Sequence, residues 1–200
     1  KAIDICERCI NYFNLKANVK KSAVMRFFRR NVKKNQRKRI RKEEEEKRVA
    51  EENKQKRESN VEKLKTEFSC RECDLRGVDL TGLDLIGVDL QGADLQGAIL
   101  SSADLTAADL QGADLSRTKL ESTVLTSAVL KGVNFYQATF WATDLSEADL
   151  TGANLTNAMI IDAMLTGAIF AEVNLTGAEF TGDLSGINLT GLDLRGINFE

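Results

Sequence analysis

Residues 77–100 read GVDLTGLDLIGVDLQGADLQGAIL, with a leucine at every fifth position, usually preceded by an aspartate. A helix repeats its faces every 3.6 residues and a strand every 2, so a period of five matches neither. The register begins at Leu75, runs to Phe180, loses one residue and resumes at Leu184, which gives about 26 repeats. A long, regular repeat indicates stacked units that bury their apolar sides on one another.

Each repeat has the composition of one straight side of a coil. In an extended chain the leucine and the residue two before it point the same way. That second position is small or apolar, as at Ala93 and Ala98. The residue two after the leucine is usually glycine, which lets the backbone turn a corner. Each side therefore directs one large and one small side chain toward the axis.

A slower pattern recurs every twenty residues and predicts four sides per coil. Asparagine precedes the inward position at Asn134, Asn154 and Asn174, and Phe140 and Phe180 are separated by two such intervals. We therefore expect an all-β solenoid, a right-handed quadrilateral β-helix of about six and a half coils. At about 4.8 Å between neighbouring strands, the stack is about 30 Å tall.

The run A(D/N)LxG, which covers residues 70–200, resembles the pentapeptide-repeat family. The resemblance implies this β-helix but no single function, because functions within one fold are diverse. The opening CRECDLRGVDL, residues 70–80, is similar to the C-x-x-C-D-L-x-G-A-D/N-L opening of cyanobacterial and chloroplast thylakoid members. It implies a chloroplast or cyanobacterial, thylakoid-associated location.

The charges divide the chain into two unlike parts. Residues 1–69 contain 22 basic and 11 acidic residues, whereas residues 70–200 contain 6 and 19. Residues 1–69 also lack glycine and proline, which favours an extended, basic α-helical arm. We expect two domains, the arm (1–69) and the β-helix (70–200), with residues 61–69 capping the open end of the coil. No apolar run reaches 18 residues, so no transmembrane span is predicted.

The four cysteines form two Cys-x-x-Cys pairs, Cys6/Cys9 and Cys70/Cys73. Four thiolates at this spacing suit a zinc site. Cys70 and Cys73, however, fall at inward positions of the repeat, which favours core packing or a local disulfide. We therefore predict no metal and no cofactor.

A basic stretch within the arm is a candidate site for an anionic partner. Residues 16–42 carry thirteen Lys+Arg and no acidic residue. Such a segment is either a solvated surface, a segment folded onto the acidic coil, or a contact for nucleic acid or lipid headgroups. The candidate residues are Arg26, Arg29, Arg30, Lys33, Lys34, Arg37, Lys38 and Arg39.

A second candidate site is apolar and lies on the outer side of the coil. Several large apolar residues occupy outward positions within two successive coils, and a clustered set of this kind is typical of a docking surface for a protein or membrane. We predict that Ile99, Val124 and Val129 extend it. Its members are Tyr136, Trp141, Met159, Ile161, Met164 and Ile169.

The outward aspartates permit two interpretations. Some pentapeptide-repeat proteins mimic DNA and bind DNA gyrase. The repeats of this chain, residues 70–200, carry a net charge of −13 from their 6 basic and 19 acidic residues. The plainer interpretation is that aspartate keeps a rod of leucines soluble. We favour the second, because the repeats end in register and no loop projects from them.

The sequence gives little support to catalysis. It contains no histidine, and its carboxylates line a convex rod instead of converging in a cleft. We expect a non-enzymatic structural or interaction subunit without a small-molecule substrate, a scaffold in a larger complex that the resemblance places in a photosynthetic assembly. The alternatives are an acidic DNA mimic that regulates an enzyme such as gyrase, and a nucleic-acid or anionic-surface binder that acts through its arm.

Overall fold

The computed structural model describes residues 21–182, 184, 187–192 and 194–199, with the backbone alone for residues 21–28 and 199. Within these ranges, one helix, α1 (Lys21–Glu67), precedes four short strands. The chain divides into two compact units, the first ending at Glu52 and the second beginning at Asn53, so the last part of α1 belongs with the repeats. No helix in the described ranges is long and apolar enough to cross a bilayer. The strands are β1 (Thr139–Trp141), β2 (Met159–Ile161), β3 (Glu179–Thr181) and β4 (Asn198–Phe199).

The α1 sequence supports a helix mainly through local pairs. Lys42 and Glu46 approach to 3.5 Å at the i,i+4 spacing, and a pair of this kind contributes about 0.2–0.5 kcal/mol. The helix ends where Phe68 adopts a left-handed φ of 50°. The Phe68 amide donates to the Leu64 carbonyl at 3.2 Å, which satisfies one of the last helical carbonyls.

The repeats close on themselves every twenty residues. Parallel bridges join Asp74 to Asp94, Asp79 to Ile99, Asp84 to Asp104 and Asp89 to Asp109, one bridge on each of four successive sides. The Leu75 amide, for example, donates to the Asp94 carbonyl at 2.7 Å. The predicted four-sided coil is thus confirmed by the pairing.

The inward positions form one continuous core. Leu100 and Ala98 are both fully buried, as the alternation of side chains predicts. At one corner, the rings of Phe135 and Phe140 meet edge to face with centroids 4.9 Å apart. The large and the small inward side chains therefore fill the axis together.

The aspartate or asparagine that precedes many inward residues caps the turn of its own repeat. Asp104 Oδ1 accepts the amide of Thr106 at 2.9 Å and its hydroxyl at 2.6 Å. Asn154 Oδ1 accepts the same two groups of Thr156, at 3.1 and 2.6 Å. Because one side-chain oxygen suffices for this Asx turn, the two residue types are interchangeable here.

The four strands all lie on one side of the coil, which we call the strand face. They pair in parallel in the order β1-β2-β3-β4. β1 and β2 are rich in β-branched and aromatic residues, which favour extended backbone. Phe180 pairs with Phe199, nineteen residues on, so the residue missing from the repeat shortens this last coil to nineteen.

The end of α1 packs on the first coil. Leu64 is fully buried among the inward residues, and Val61 is partly buried beside them. The Asn60 side-chain Nδ2 donates to the Asp74 backbone carbonyl at 3.0 Å, and the Arg57 guanidinium lies 3.8 Å from the Asp74 carboxylate. These contacts place residues 57–64 over the N-terminal end of the solenoid.

Candidate interaction surfaces

The structure divides the six outward apolar residues among three faces and one turn. Trp141, Met159 and Ile161 lie on the strand face. Tyr136 lies in the turn between the face of Asn134 and the strand face. Three of the six residues expected from the sequence thus lie on the strand face, and we call these three the strand-face patch.

The remaining outward apolar residues belong to different ladders. Met164 lies in the ladder of Asp84 and Val124 on the next face, and Ile169 lies in the ladder of Asp89 and Val129 on the face after that. The two valines therefore share ladders with Met164 and Ile169, and neither valine lies on the strand face. Ile99, in contrast, shares a ladder with Met159 on the strand face, as expected.

The strand-face patch is an apolar surface carried by paired strands. Trp141 is 53% exposed and Met159 is 40% exposed, while Ile161 is half-buried. Trp141 and Ile161 are register partners in adjacent strands, about 4.8 Å apart along the stack. Directly behind them Phe140 and Ile160 are buried, so the backbone that carries the patch is held by the core.

Polar residues border the patch. Met159 lies between Thr139 and Glu179 in its ladder. Glu121, one coil before Trp141, is exposed, and so is Asp162 at the following corner. An apolar centre with a polar rim is the usual anatomy of a protein–protein interface.

The basic residues of α1 form one face of the helix. The side chains that share this basic face repeat at i, i+3, i+4, i+7, i+8 and i+11. Arg41 is an addition to the residues predicted from the sequence, and its i+4 spacing from Arg37 would have identified it. The basic face consists of Arg30, Lys33, Lys34, Arg37, Lys38 and Arg41, all exposed.

Three other predicted basic residues lie elsewhere. Arg29 is exposed at the edge of the basic face, one residue before Arg30. Arg39 points to the other side of α1, since it follows Arg37 by two residues, a rotation of about 200°. The side chain of Arg26 lies outside the part of the molecule that the structure describes.

The outward aspartates occupy all four faces, and several form ion pairs with nearby arginine or lysine side chains. Arg71 Nε lies 2.5 Å from Asp89, and Lys131 lies 3.0 Å from Asp149. The hydrogen bond from the Arg76 guanidinium lowers the pKa of Asp74 to about 2. Part of the acidic charge is therefore balanced within the coil itself.

The cysteines at the start of the coil are oxidised. Cys70 and Cys73 form a disulfide with their Cα atoms 5.4 Å apart, so these two do not supply zinc thiolates. Cys6 and Cys9 lie outside the described residues. Within the described ranges, no group of three or more cysteine or acidic side chains is arranged to hold a metal ion.

A family profile described as pentapeptide repeats matches residues 69–101, 103–141, 134–170 and 143–182, more than half of the chain. The chain belongs to the pentapeptide-repeat family. Its repeats therefore build the right-handed quadrilateral β-helix of that family, in agreement with the four ladders. A comparison with curated proteins finds none that matches.

Several solved structures are similar to this chain. Rfr23, a pentapeptide repeat protein from the cyanobacterium Cyanothece, is 24% identical with a TM-score of 0.59, and the match covers 71% of this chain and 98% of that one. A pentapeptide repeat protein from the Arabidopsis thaliana thylakoid lumen is 36% identical, with coverage of 53% and 67% and a TM-score of 0.28. QnrB1, a plasmid-mediated fluoroquinolone resistance protein, is 17% identical, with coverage of 66% and 82% and a TM-score of 0.32.

Proposed function

We propose that this pentapeptide-repeat protein is a non-catalytic interaction subunit that binds another protein through the strand-face patch. The observation that carries the proposal is the apolar column of the exposed Trp141 and the half-buried Ile161, flanked by the exposed Met159, on an otherwise largely polar face of the β-helix. A central tryptophan is among the residue types that most often dominate binding energy. Because the buried neighbours of Trp141 hold its backbone in place, less conformational entropy is lost on binding.

The surface chemistry of the coil supports a role other than catalysis. Its outward carboxylates lie on convex faces, and many, such as Asp104 and Asp149, bind the amide two residues on. A catalytic site needs groups that converge in a concave, water-excluding pocket. A rigid rod with one apolar patch suits a scaffold within a larger complex. The photosynthetic setting rests on the resemblance of residues 70–80 alone.

The acidic DNA mimic has less support as an alternative. The aspartates are spread over four faces, and arginines or lysines of the same coil pair with Asp74, Asp89 and Asp149. Because the aspartate oxygens accept hydrogen bonds in the turns, the recurrence of aspartate has a structural cause. Inhibition of gyrase supercoiling by the full chain, lost in a variant with Asp94, Asp109 and Asp114 changed to Asn, would instead favour mimicry.

Affinity purification with quantitative mass spectrometry tests the proposal. The tagged protein is compared with the variant Trp141→Asp/Ile161→Asp and with the control Ile86→Asp/Ile169→Asp. The control changes two outward isoleucines that are 50% and 48% exposed on other faces. We expect a stable partner to be lost with the first variant and retained with the control. Retention with both variants would contradict the proposal.

A further inference from the structure

The basic face of α1 has a regular geometry that the proposed docking function does not use. Its six residues, Arg30 to Arg41, cover three turns of one side of the helix. At a rise of 1.5 Å per residue, the charges extend over about 16 Å. They form a straight, preformed row of cationic side chains.

Nothing on the described part of the helix neutralises this row. Residues 16–42 contain no acidic residue, and residues 29–41 are all exposed. Within the described ranges, the first ion pair along α1 is the one between Lys42 and Glu46. Farther on, Arg48 pairs with Glu45 and Glu52, and Lys54 pairs with Glu58. The helix therefore changes from unpaired cations to paired charges near residue 42.

The residues around the basic face favour the phosphates of a nucleic acid over a lipid surface. A helix that lies in a membrane interface needs a broad apolar side opposite its basic side. From residue 29 to residue 48, the large exposed apolar residues are Val32 and Ile40, which are eight positions apart, and the uncharged polar residues near them are Asn31, Asn35 and Gln36. Asparagine side chains donate to phosphate and base edges, and they do not enter the acyl region.

We propose that the basic face of α1 binds the phosphate backbone of double-stranded nucleic acid. An α-helix fits the major groove of B-form DNA, which is about 12 Å wide. Arginine forks and lysine ammonium groups both contact phosphate oxygens. The recognised chemistry is the backbone itself, so binding is independent of base sequence. The basic face and the strand-face patch share no residues, so a test of one proposal does not decide the other.

The test measures binding of the full-length protein to labelled 24-base-pair DNA and RNA duplexes by fluorescence anisotropy between 50 and 300 mM salt. The variant Lys33→Gln/Lys34→Gln/Arg37→Gln removes three charges from the basic face. The control Arg48→Gln/Lys54→Gln/Lys63→Gln removes three charges that are ion-paired on the same helix. Both sets contain one arginine and two lysines, and circular dichroism checks that each variant keeps its helix.

For the DNA duplex, each phosphate contact contributes about 0.9 to the slope of log K against log salt. We therefore expect the basic-face variant to reduce the slope by about 2–3 and affinity at 100 mM salt by about tenfold or more. The control is expected to change the slope by less than about 1. The DNA and RNA arms show which duplex supplies the phosphates.

Equal losses in the two variants would overturn the proposal, because binding would then follow net charge. An unchanged slope in the basic-face variant would also overturn it. A third contradictory result is binding to phosphatidylserine vesicles that depends on Lys33, Lys34 and Arg37 while binding to both duplexes does not.

Discussion

Trp141 is the register partner of Ile161 across β1 and β2, so two large apolar side chains occupy one outward column, one coil apart. Their chain neighbours Phe140 and Ile160 are paired in the same way but point inward and are buried. Each of these short strands thus places one side chain in the core and the following side chain on the outer surface. Stability and binding are therefore separable by mutation.

The first prediction tests this separation. Phe140→Ala removes a fully buried ring and is expected to lower the free energy of unfolding by about 3–5 kcal/mol. Trp141→Ala removes a ring that is 53% exposed and is expected to cost much less, within about 1 kcal/mol. Circular dichroism during urea unfolding measures both, since the chain has one tryptophan and fluorescence would be lost with it. Similar costs at the two positions would contradict the inward and outward assignment.

The second prediction concerns the turn-capping aspartates. Asp104→Asn keeps the oxygen that accepts the Thr106 amide and hydroxyl, so we expect almost no change in thermal stability. Asp104→Ala removes that acceptor and is expected to cost about 0.5–1.5 kcal/mol. Thermal unfolding by circular dichroism distinguishes the variants. If the asparagine variant lost as much stability as the alanine variant, the charge and not the hydrogen bond would be responsible.

The third prediction is a pH dependence at the first coil. The hydrogen bond from Arg76 lowers the pKa of Asp74 to about 2, below the value near 4 in an unfolded chain. A carboxyl group with a lowered pKa stabilises the folded state above the unfolded pKa, and this contribution is lost as the pH falls from about 4 toward 2. The Asp74 side-chain ¹³C shift should therefore titrate near pH 2.

Arg76→Gln is expected to move that titration upward, toward the value of an ordinary aspartate. Arg71→Gln serves as the control because Arg71 pairs with Asp89, and it should leave the Asp74 midpoint unchanged. An unchanged midpoint in the Arg76 variant would show that Arg76 is not the cause.

The fourth prediction concerns the disulfide between Cys70 and Cys73. It closes a loop of four residues, for which chain entropy predicts a stabilisation of about 2 kcal/mol. We expect a reducing agent to lower the thermal midpoint of the oxidised protein. Cys70→Ala/Cys73→Ala should unfold at the same temperature with and without reductant. A wild-type protein that is insensitive to reductant would contradict this role.

Much of the fold could be predicted from the sequence because the repeat is a local pattern. The inward places of Leu105 and Ala103 follow from alternation, and the four sides follow from the recurrence of asparagine at twenty residues. That recurrence has a direct cause in the structure, since the Asn154 side-chain Nδ2 donates to Asn134 Oδ1 at 2.9 Å. The turn-capping role of aspartate was missed, although its exchange with asparagine before the inward residue was a readable signal.

The candidate site was only partly predictable. Residues within two successive coils need not lie on the same face, and Met164 and Ile169 lie on different faces from Trp141. Applying the period of twenty to each residue would have separated them. The contact between Asn60 and the Asp74 carbonyl could not be predicted, because it joins a helix without repeats to one repeat among many similar ones.

Site-specific photo-cross-linking tests whether a protein partner contacts the strand-face patch. A photoreactive phenylalanine analogue is placed at Trp141 or Met159 and, as controls, at Ile86 or Ile169, which are exposed on other faces. Irradiation in extracts of the source cells, followed by mass spectrometry, identifies the cross-linked protein. We predict one common protein cross-linked from 141 and 159 and not from 86 or 169. The same products from all four positions, or none from 141 and 159, would contradict the account.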